Sequence, residues 1–296
     1  MVVILASKIG VMYTLQPDQQ RIFNKIPALT LLFWIMKITA TTLGETGGDL
    51  LAQTLKVGYA TSTLIFFGFF IIMVVCQLMV KRYIPPIYWA VIVATSTAGT
   101  TMSDYMDRTL GLGYAVGSLI LVTILITVLI VWKRTEKSLS VTDIETRRGE
   151  AFYWTAILFS NTLGTALGDF LADSSGLGFA GSALLISSVL ALVVLAYFFT
   201  RISRVVLFWI AFVLTRPFGA TFGDLLTKSK EKGGFAYGTG GASMILLGLL
   251  IVLIIYETVK LKPVINKGMA DYRQWKQTRN EYLKFRTRHP KLNPVK

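Results

Sequence analysis

The chain has 296 residues, 53% of them hydrophobic and only 16% charged, and its mean hydropathy is +0.59. Soluble domains carry about a quarter charged residues, so an ordinary soluble protein is excluded. One cysteine, Cys76, and one histidine, His289, exclude an intrachain disulfide, a thiolate cluster and any membrane-embedded metal site built on sulfur or imidazole.

An N-terminal arm, residues 1–23, comes first. Its apolar residues 2–6 are followed by Lys8 rather than preceded by a base, which is not the order of a cleavable signal peptide. Apolar runs then fall at residues 27–50, 59–80, 86–106, 114–132, 151–172, 178–199, 205–226 and 237–259. A hydrocarbon core about 30 Å thick needs about 20 apolar residues per helix. The expected fold is therefore an all-α integral membrane protein with eight transmembrane helices. Several runs are apolar on every side, as suits helices facing lipid.

The runs carry an internal repeat. Trp34, Trp89, Trp154 and Trp209 each open an odd-numbered run, and ten residues after each stands Gly44, Gly99, Gly164 or Gly219. Four residues further on comes a small residue, Gly48, Ser103, Gly168 or Gly223, followed at once by Asp49, Asp104, Asp169 or Asp224. A glycine–aromatic step closes three units at Gly58–Tyr59, Gly113–Tyr114 and Gly178–Phe179, while the fourth has an insertion before Tyr237–Gly238. The tryptophans are spaced by 55, 65 and 55 residues. The units thus pair into two halves displaced by 120 residues: residues 24–133 hold repeats 1 and 2, and residues 151–259 hold repeats 3 and 4. A polar linker, residues 134–150, joins them, and a basic tail, residues 260–296, follows. With two spans per unit, the four repeats are parallel and the two halves pseudo-symmetric.

On these residues the chain resembles the bacterial membrane proteins made of four copies of a repeat of unknown function, each with two transmembrane segments and a characteristic tryptophan. The resemblance covers residues 24–259, and residues 37–49 (KITATTLGETGGD) and 216–224 (RPFGATFGD) carry the family's wording. It implies the fold and supplies no activity.

Of the 30 Lys and Arg, 23 lie in the arm, at Lys25, at Lys81–Arg82, at Lys133 and in the linker, at Arg201 and Arg204, or in the tail. The positive-inside rule places both termini in the cytoplasm of a bacterial inner membrane. Each aspartate lies 15 residues beyond its tryptophan, a rise of about 22 Å along a helix. The tryptophans are then expected near the cytoplasmic interface, and the acids in the outer part of the membrane.

Ionisable groups inside a bilayer usually face the bundle interior and mark an ion path. Asp49, Asp104, Asp169 and Asp224, with Glu45 one turn deeper, are candidate ligands of one cation site on the repeat axis; alternatively the aspartates only cap helices. Threonines, Ser96 and Asn161 surround them, and an all-oxygen ligand set suits hard cations such as Mg²⁺, Mn²⁺ or Ca²⁺. Lys37 and Arg216 are the expected charge partners of these acids, with a substrate anion bound by Arg216 as an alternative, and Pro217 interrupts hydrogen bonding beside Arg216. Asp107, Arg108 and Asp173 read as ordinary solvated loop residues.

The expected function is a transporter or channel for a small hard cation, with protons as a further coupling ion, and not an enzyme. The G-x-G-D motif of intramembrane aspartyl proteases is absent, as is a nucleotide-binding loop. A non-catalytic sensor or assembly partner is the alternative. The tail holds eleven Lys and Arg among Tyr272, Trp275, Tyr282, Leu283 and Phe285, a composition that suits a short helix on anionic lipid headgroups. No nucleic-acid partner is expected. The cofactor, the identity of the ion and a homo-oligomeric state stay open.

Overall fold

The computed structural model describes residues 25–80, 82–141, 144 and 146–288. The arm at 1–23 and His289 lie outside them, as do the side chains of Tyr272, Trp275, Tyr282 and Phe285. Eight long helices make up the described residues: α1 (Leu31–Asp49), α2 (Tyr59–Met79), α3 (Pro85–Asp104), α4 (Tyr114–Glu136), α5 (Arg147–Asp169), α6 (Gly178–Phe199), α7 (Arg204–Thr227) and α8 (Thr239–Arg288). Their starts follow local chemistry. The hydroxyls of Thr30 and Thr146 cap α1 and α5 by accepting from Phe33 N and Gly149 N, and proline opens α3.

Directly after the aspartate that ends α1, α3 and α5, the backbone widens into a five-residue π-helical turn, at Leu50–Thr54, Tyr105–Thr109 and Phe170–Ser174. The sequence carried no sign of these turns. Past each one the chain reverses through a glycine with φ of +82° (Gly58), +72° (Gly113) or +65° (Gly178), and before α8 through Gly238 at +71°. A side chain is strained in that left-handed region, which explains why a glycine recurs at the step. In the fourth repeat α7 stays α-helical through Thr227, continuing past Pro217 without a break.

The odd-numbered helices form the interior. α1 packs against α3 and α7, and α5 packs against the same two, so the four close a ring. Each even helix lies outside, against the odd helix of the following repeat: α2 on α3, α4 on α5, α6 on α7, and α8 back on α1. The small residues explain the close approach. A Cβ on Gly44 would run into Ser96 of α3. One on Gly99 would stand 3.0 Å from Asn161 C of α5, one on Gly164 would run into Arg216 of α7, and one on Gly219 would stand 2.6 Å from Thr41 Oγ1 of α1. The same glycine thus meets the same position of the next inner helix all the way round.

The aromatic end repeats the rule. Phe33 packs on Trp89 with ring centroids 5.8 Å apart, Tyr88 on Trp154 at 5.5 Å, Tyr153 on Trp209 at 6.5 Å and Phe208 on Trp34 at 6.0 Å. Trp89, Trp154 and Trp209 are buried. They are therefore core residues that tie neighbouring inner helices together.

Five helices, α2, α4, α6, α7 and the Thr239–Ala270 part of α8, are long and apolar enough to cross a membrane. The outer helices α2, α4 and α6 expose rows of large apolar side chains, among them Leu64, Ile72, Leu119 and Leu184. Patches of this extent need an apolar surrounding. α1, α3 and α5 carry hydroxyls, glycines and charges on the faces they turn to one another, which lowers their hydropathy. The tail is not a separate short helix on a surface: α8 runs on through Val259 to Arg288 as one 50-residue helix. The linker is shorter than expected, because α4 extends to Glu136 and α5 begins at Arg147.

Candidate functional site

Asp49, Asp104 and Asp169 end their inner helices and Asp224 lies in the last turn of α7, and all of the expected ionisable residues are interior. Glu45, Asp49, Asp104, Asp169 and Asp224 are 2–4% exposed, and Lys37 and Arg216 are 0% exposed. A carboxylate held out of water needs a compensating charge or donor, and each of these has one. For the aspartates it comes from Arg108, which the sequence reading assigned to a loop, and from Lys228, just past an apolar run.

Two clamps organise the acids. Arg108 sits four residues beyond Asp104; its Nε lies 2.8 Å from Asp104 Oδ1 and its Nη2 2.9 Å from Asp169 Oδ2. Lys228 sits four residues beyond Asp224; its Nζ lies 3.1 Å from Asp224 Oδ1 and 2.8 Å from Asp49 Oδ2. Each clamp joins the aspartate of an even repeat to that of the next odd repeat. Gln53 Nε2 adds a donor to Asp49 Oδ1 at 2.5 Å. The side chains of Arg108 and Lys228 are 35% and 20% exposed, so both clamps lie at an open end of the ring. Arg108 is thus a partner of the acids and not a solvated loop residue. Asp107, also expected to be solvated, is buried against Gly117 and accepts from Ser103 Oγ at 3.2 Å. Asp173 is exposed as expected, with Tyr114 donating to it at 3.3 Å.

Glu45, Asp49 and Asp224 form one group, with a carboxylate oxygen of each lying within 4.8 Å of the others. Two oxygens on opposite sides of one Ca²⁺ are about 4.6–5.2 Å apart, from bonds of about 2.3–2.6 Å, so this spacing suits a single cation. Asp104 and Asp169 belong to the Arg108 clamp instead. Thr42 Oγ1, one helical turn before Glu45, is buried with no hydrogen-bond partner among the described residues, and Ser243 of α8 donates to or accepts from Thr46 at 2.8 Å.

Deeper in the ring lie the two cations. Arg216 donates through Nη2 to Glu45 Oε2 at 3.1 Å, to Thr165 Oγ1 at 2.7 Å and to Thr100 Oγ1. It replaces Thr41, Ser96 and Asn161 of the other repeats, and it fits because its neighbour is Gly164, whose Cβ would overlap its Cγ. Lys37 does not neutralise an acid. Its Nζ donates to Asn161 Oδ1 at 3.4 Å and stands 4.0 Å from the centre of the Phe212 ring, with no carboxylate in ion-pair distance among the described residues. Asn161 in turn donates to Thr95 Oγ1 at 2.9 Å and Ser96 Oγ at 3.3 Å. Below Lys37, the aromatic residues Phe33, Tyr88, Trp154 and Phe212 fill the ring.

The apolar outer helices, the polar interior and the fourfold internal pattern define a membrane protein assembled from repeats. The chain belongs to the family described as Repeat of Unknown Function (DUF347), whose repeat matches residues 32–83, 87–138, 152–203 and 207–260. Each match spans one inner helix and the outer helix after it. No curated protein and no solved structure matches the chain.

Proposed function

We propose that the chain is a multi-pass membrane carrier for a small hard cation, taken up at Glu45, Asp49 and Asp224. In this reading all eight helices span the bilayer as four parallel two-helix repeats in two pseudo-symmetric halves. Both termini lie in the cytoplasm of a bacterial inner membrane, and the acidic end of the ring opens outward. The basic part of α8 lies close to anionic headgroups.

The observation that carries the reading is the Lys228 ammonium between Asp49 and Asp224, with Glu45 in the same group. A lysine is a compact point charge on a flexible stem, and this one is partly exposed. It holds the place of a cation and leaves when one arrives. Arg108, a planar fork fixed on Asp104 and Asp169, fits a permanent clamp better. The buried ionisable interior supports a carrier over a non-catalytic assembly partner, because such groups are costly in a bilayer unless they are used. An enzyme has less support: the acids are held by bases and not as a free pair.

The reading is tested on the purified chain in lipid nanodiscs by Mn²⁺ binding, followed by electron paramagnetic resonance with Ca²⁺ and Mg²⁺ as competitors, and by uptake into proteoliposomes. Saturable binding and uptake are expected. Neither binding nor uptake of any divalent or alkali cation would remove the reading.

A further inference from the structure

Arg216 and Lys37 have more donors than the protein satisfies. Arginine offers five N–H donors and cannot be deprotonated in a protein. All the hydrogen bonds of Arg216 to Glu45, Thr100, Thr165 and Ser96 leave from Nη2, while Nε and Nη1 are buried without a partner. Lys37 spends one bond on Asn161 and has no carboxylate. Three hydrogen bonds connect the two bases: Lys37 to Asn161, Asn161 to Ser96 Oγ, and Arg216 Nη2 to Ser96 O at 3.4 Å. Among the described residues Glu45 is the one carboxylate paired with either base, and the remaining Arg216 N–H groups and the Lys37 amine keep unspent donors in a buried setting.

We propose that Lys37 and Arg216 form a binding site for a small monovalent anion, such as chloride, between α1, α3, α5 and α7 and deeper than the carboxylate group. Such an anion accepts from Arg216 Nε and Nη1, which have no other partner, and from the hydrogens that Lys37 does not spend on Asn161. The hydroxyls of Ser96 and Thr165, which accept from Asn161 and Arg216, add donors of their own. Gly44 and Gly164 hold the helices so close at this level that a single-atom anion fits better than a polyatomic oxyanion. The site does not depend on the cation reading, since its donors are not cation ligands.

The test is equilibrium binding of radiolabelled chloride to the full chain in nanodiscs, in gluconate buffer of constant ionic strength containing a chelator so that no divalent cation is present. The expected result is one saturable site, weakened about tenfold or more (about 1.4 kcal/mol) by Lys37→Gln and by Arg216→Gln and kept by Lys37→Arg. Chloride in place of gluconate should also raise the melting temperature of the parent, because a ligand of the folded state stabilises it. Where a glutamine variant does not accumulate, that shift in the parent and in Lys37→Arg decides the matter. No saturable binding and no shift in the parent, or binding that survives both glutamine substitutions, would overturn the proposal. Mn²⁺ binding measured on the same samples separates this failure from failure of the cation reading.

Discussion

Arg108 and Lys228 stand 120 residues apart and occupy equivalent positions, each four residues beyond the aspartate of an even repeat and each bridging to the aspartate of the next odd repeat. The equivalence is one of position and not of chemistry, and the difference leads to a first prediction. Lys228→Gln removes the ammonium that competes for Asp49 and Asp224. If Lys228 is an exchangeable counter-ion, Mn²⁺ binding to this variant tightens by roughly threefold or more, and the variant gains more thermal stability from Mn²⁺ than the parent does. Arg108→Gln is expected to lower stability with or without Mn²⁺, since it leaves Asp104 and Asp169 together without a cation. Calorimetric melting with and without Mn²⁺ reads both effects. Weaker Mn²⁺ binding by Lys228→Gln would mean that Lys228 supports the site rather than competes for it.

Much of the fold was legible because the repeat pattern is a packing pattern. The glycine ten residues after each tryptophan marked a close helix contact, and the structure supplies the partners: Ser96, Asn161, Arg216 and Thr41. The interior location of Glu45, the four aspartates, Lys37 and Arg216 was readable from charges inside apolar runs. An aromatic residue near a span end suits an interface as well as a core, and only the aromatic residue preceding each tryptophan, as in Tyr88–Trp89, hinted at a ring of paired helices. The bases at the mouth were missed because Arg108 and Lys228 lie past the apolar runs, where loops are the default. A signal was there: a base four residues after the aspartate in repeats 2 and 4, against Gln53 and Asp173 in repeats 1 and 3. The π-helical turns had no sequence signature to find.

The ring contacts predict where substitution is costly. Gly168→Leu would place its Cβ 2.9 Å from Ala220 Cβ, and Gly223→Leu 3.1 Å from Glu45 Cβ. Each should cost about 1–3 kcal/mol through overpacking and reduce the amount of folded protein. Gly248→Ala, with nothing within 4 Å of the added Cβ, serves as the control and should match the parent. Fluorescence-detected size-exclusion chromatography after heating ranks the three. Equal stability of all of them would detach these glycines from the helix contacts.

Orientation is tested by labelling single cysteines in a Cys76→Ala background in intact cells. Lys230→Cys, in the exposed turn between α7 and α8 at the acidic end, should react with a membrane-impermeant maleimide added outside. Lys137→Cys and Arg201→Cys, both exposed at the opposite end, should react only after permeabilisation. The reverse pattern would turn the protein over and make the acidic end cytoplasmic.

The two clamps separate the acids by role, and the isosteric amides read that separation. Asp49→Asn, Asp224→Asn and Glu45→Gln each keep side-chain size and some hydrogen bonding while removing a charge from the group whose oxygens lie within 4.8 Å of one another. Carboxylate number sets the affinity of hard-cation sites, so each should weaken Mn²⁺ binding about tenfold or more, with uptake falling in step. Glu45→Gln should have the largest effect, because Glu45 is deepest and also leaves the buried Arg216 guanidinium without its carboxylate. Asp104→Asn and Asp169→Asn instead weaken the Arg108 clamp; they should lower thermal stability while Mn²⁺ affinity stays within about threefold of the parent. Uptake assays and binding isotherms on all five variants, each first checked for insertion and monodispersity, give the comparison. Equal losses of affinity at all five positions would restore a single five-carboxylate site on the axis. Unchanged affinity at Glu45, Asp49 and Asp224 would reduce the acids to holding the ring together.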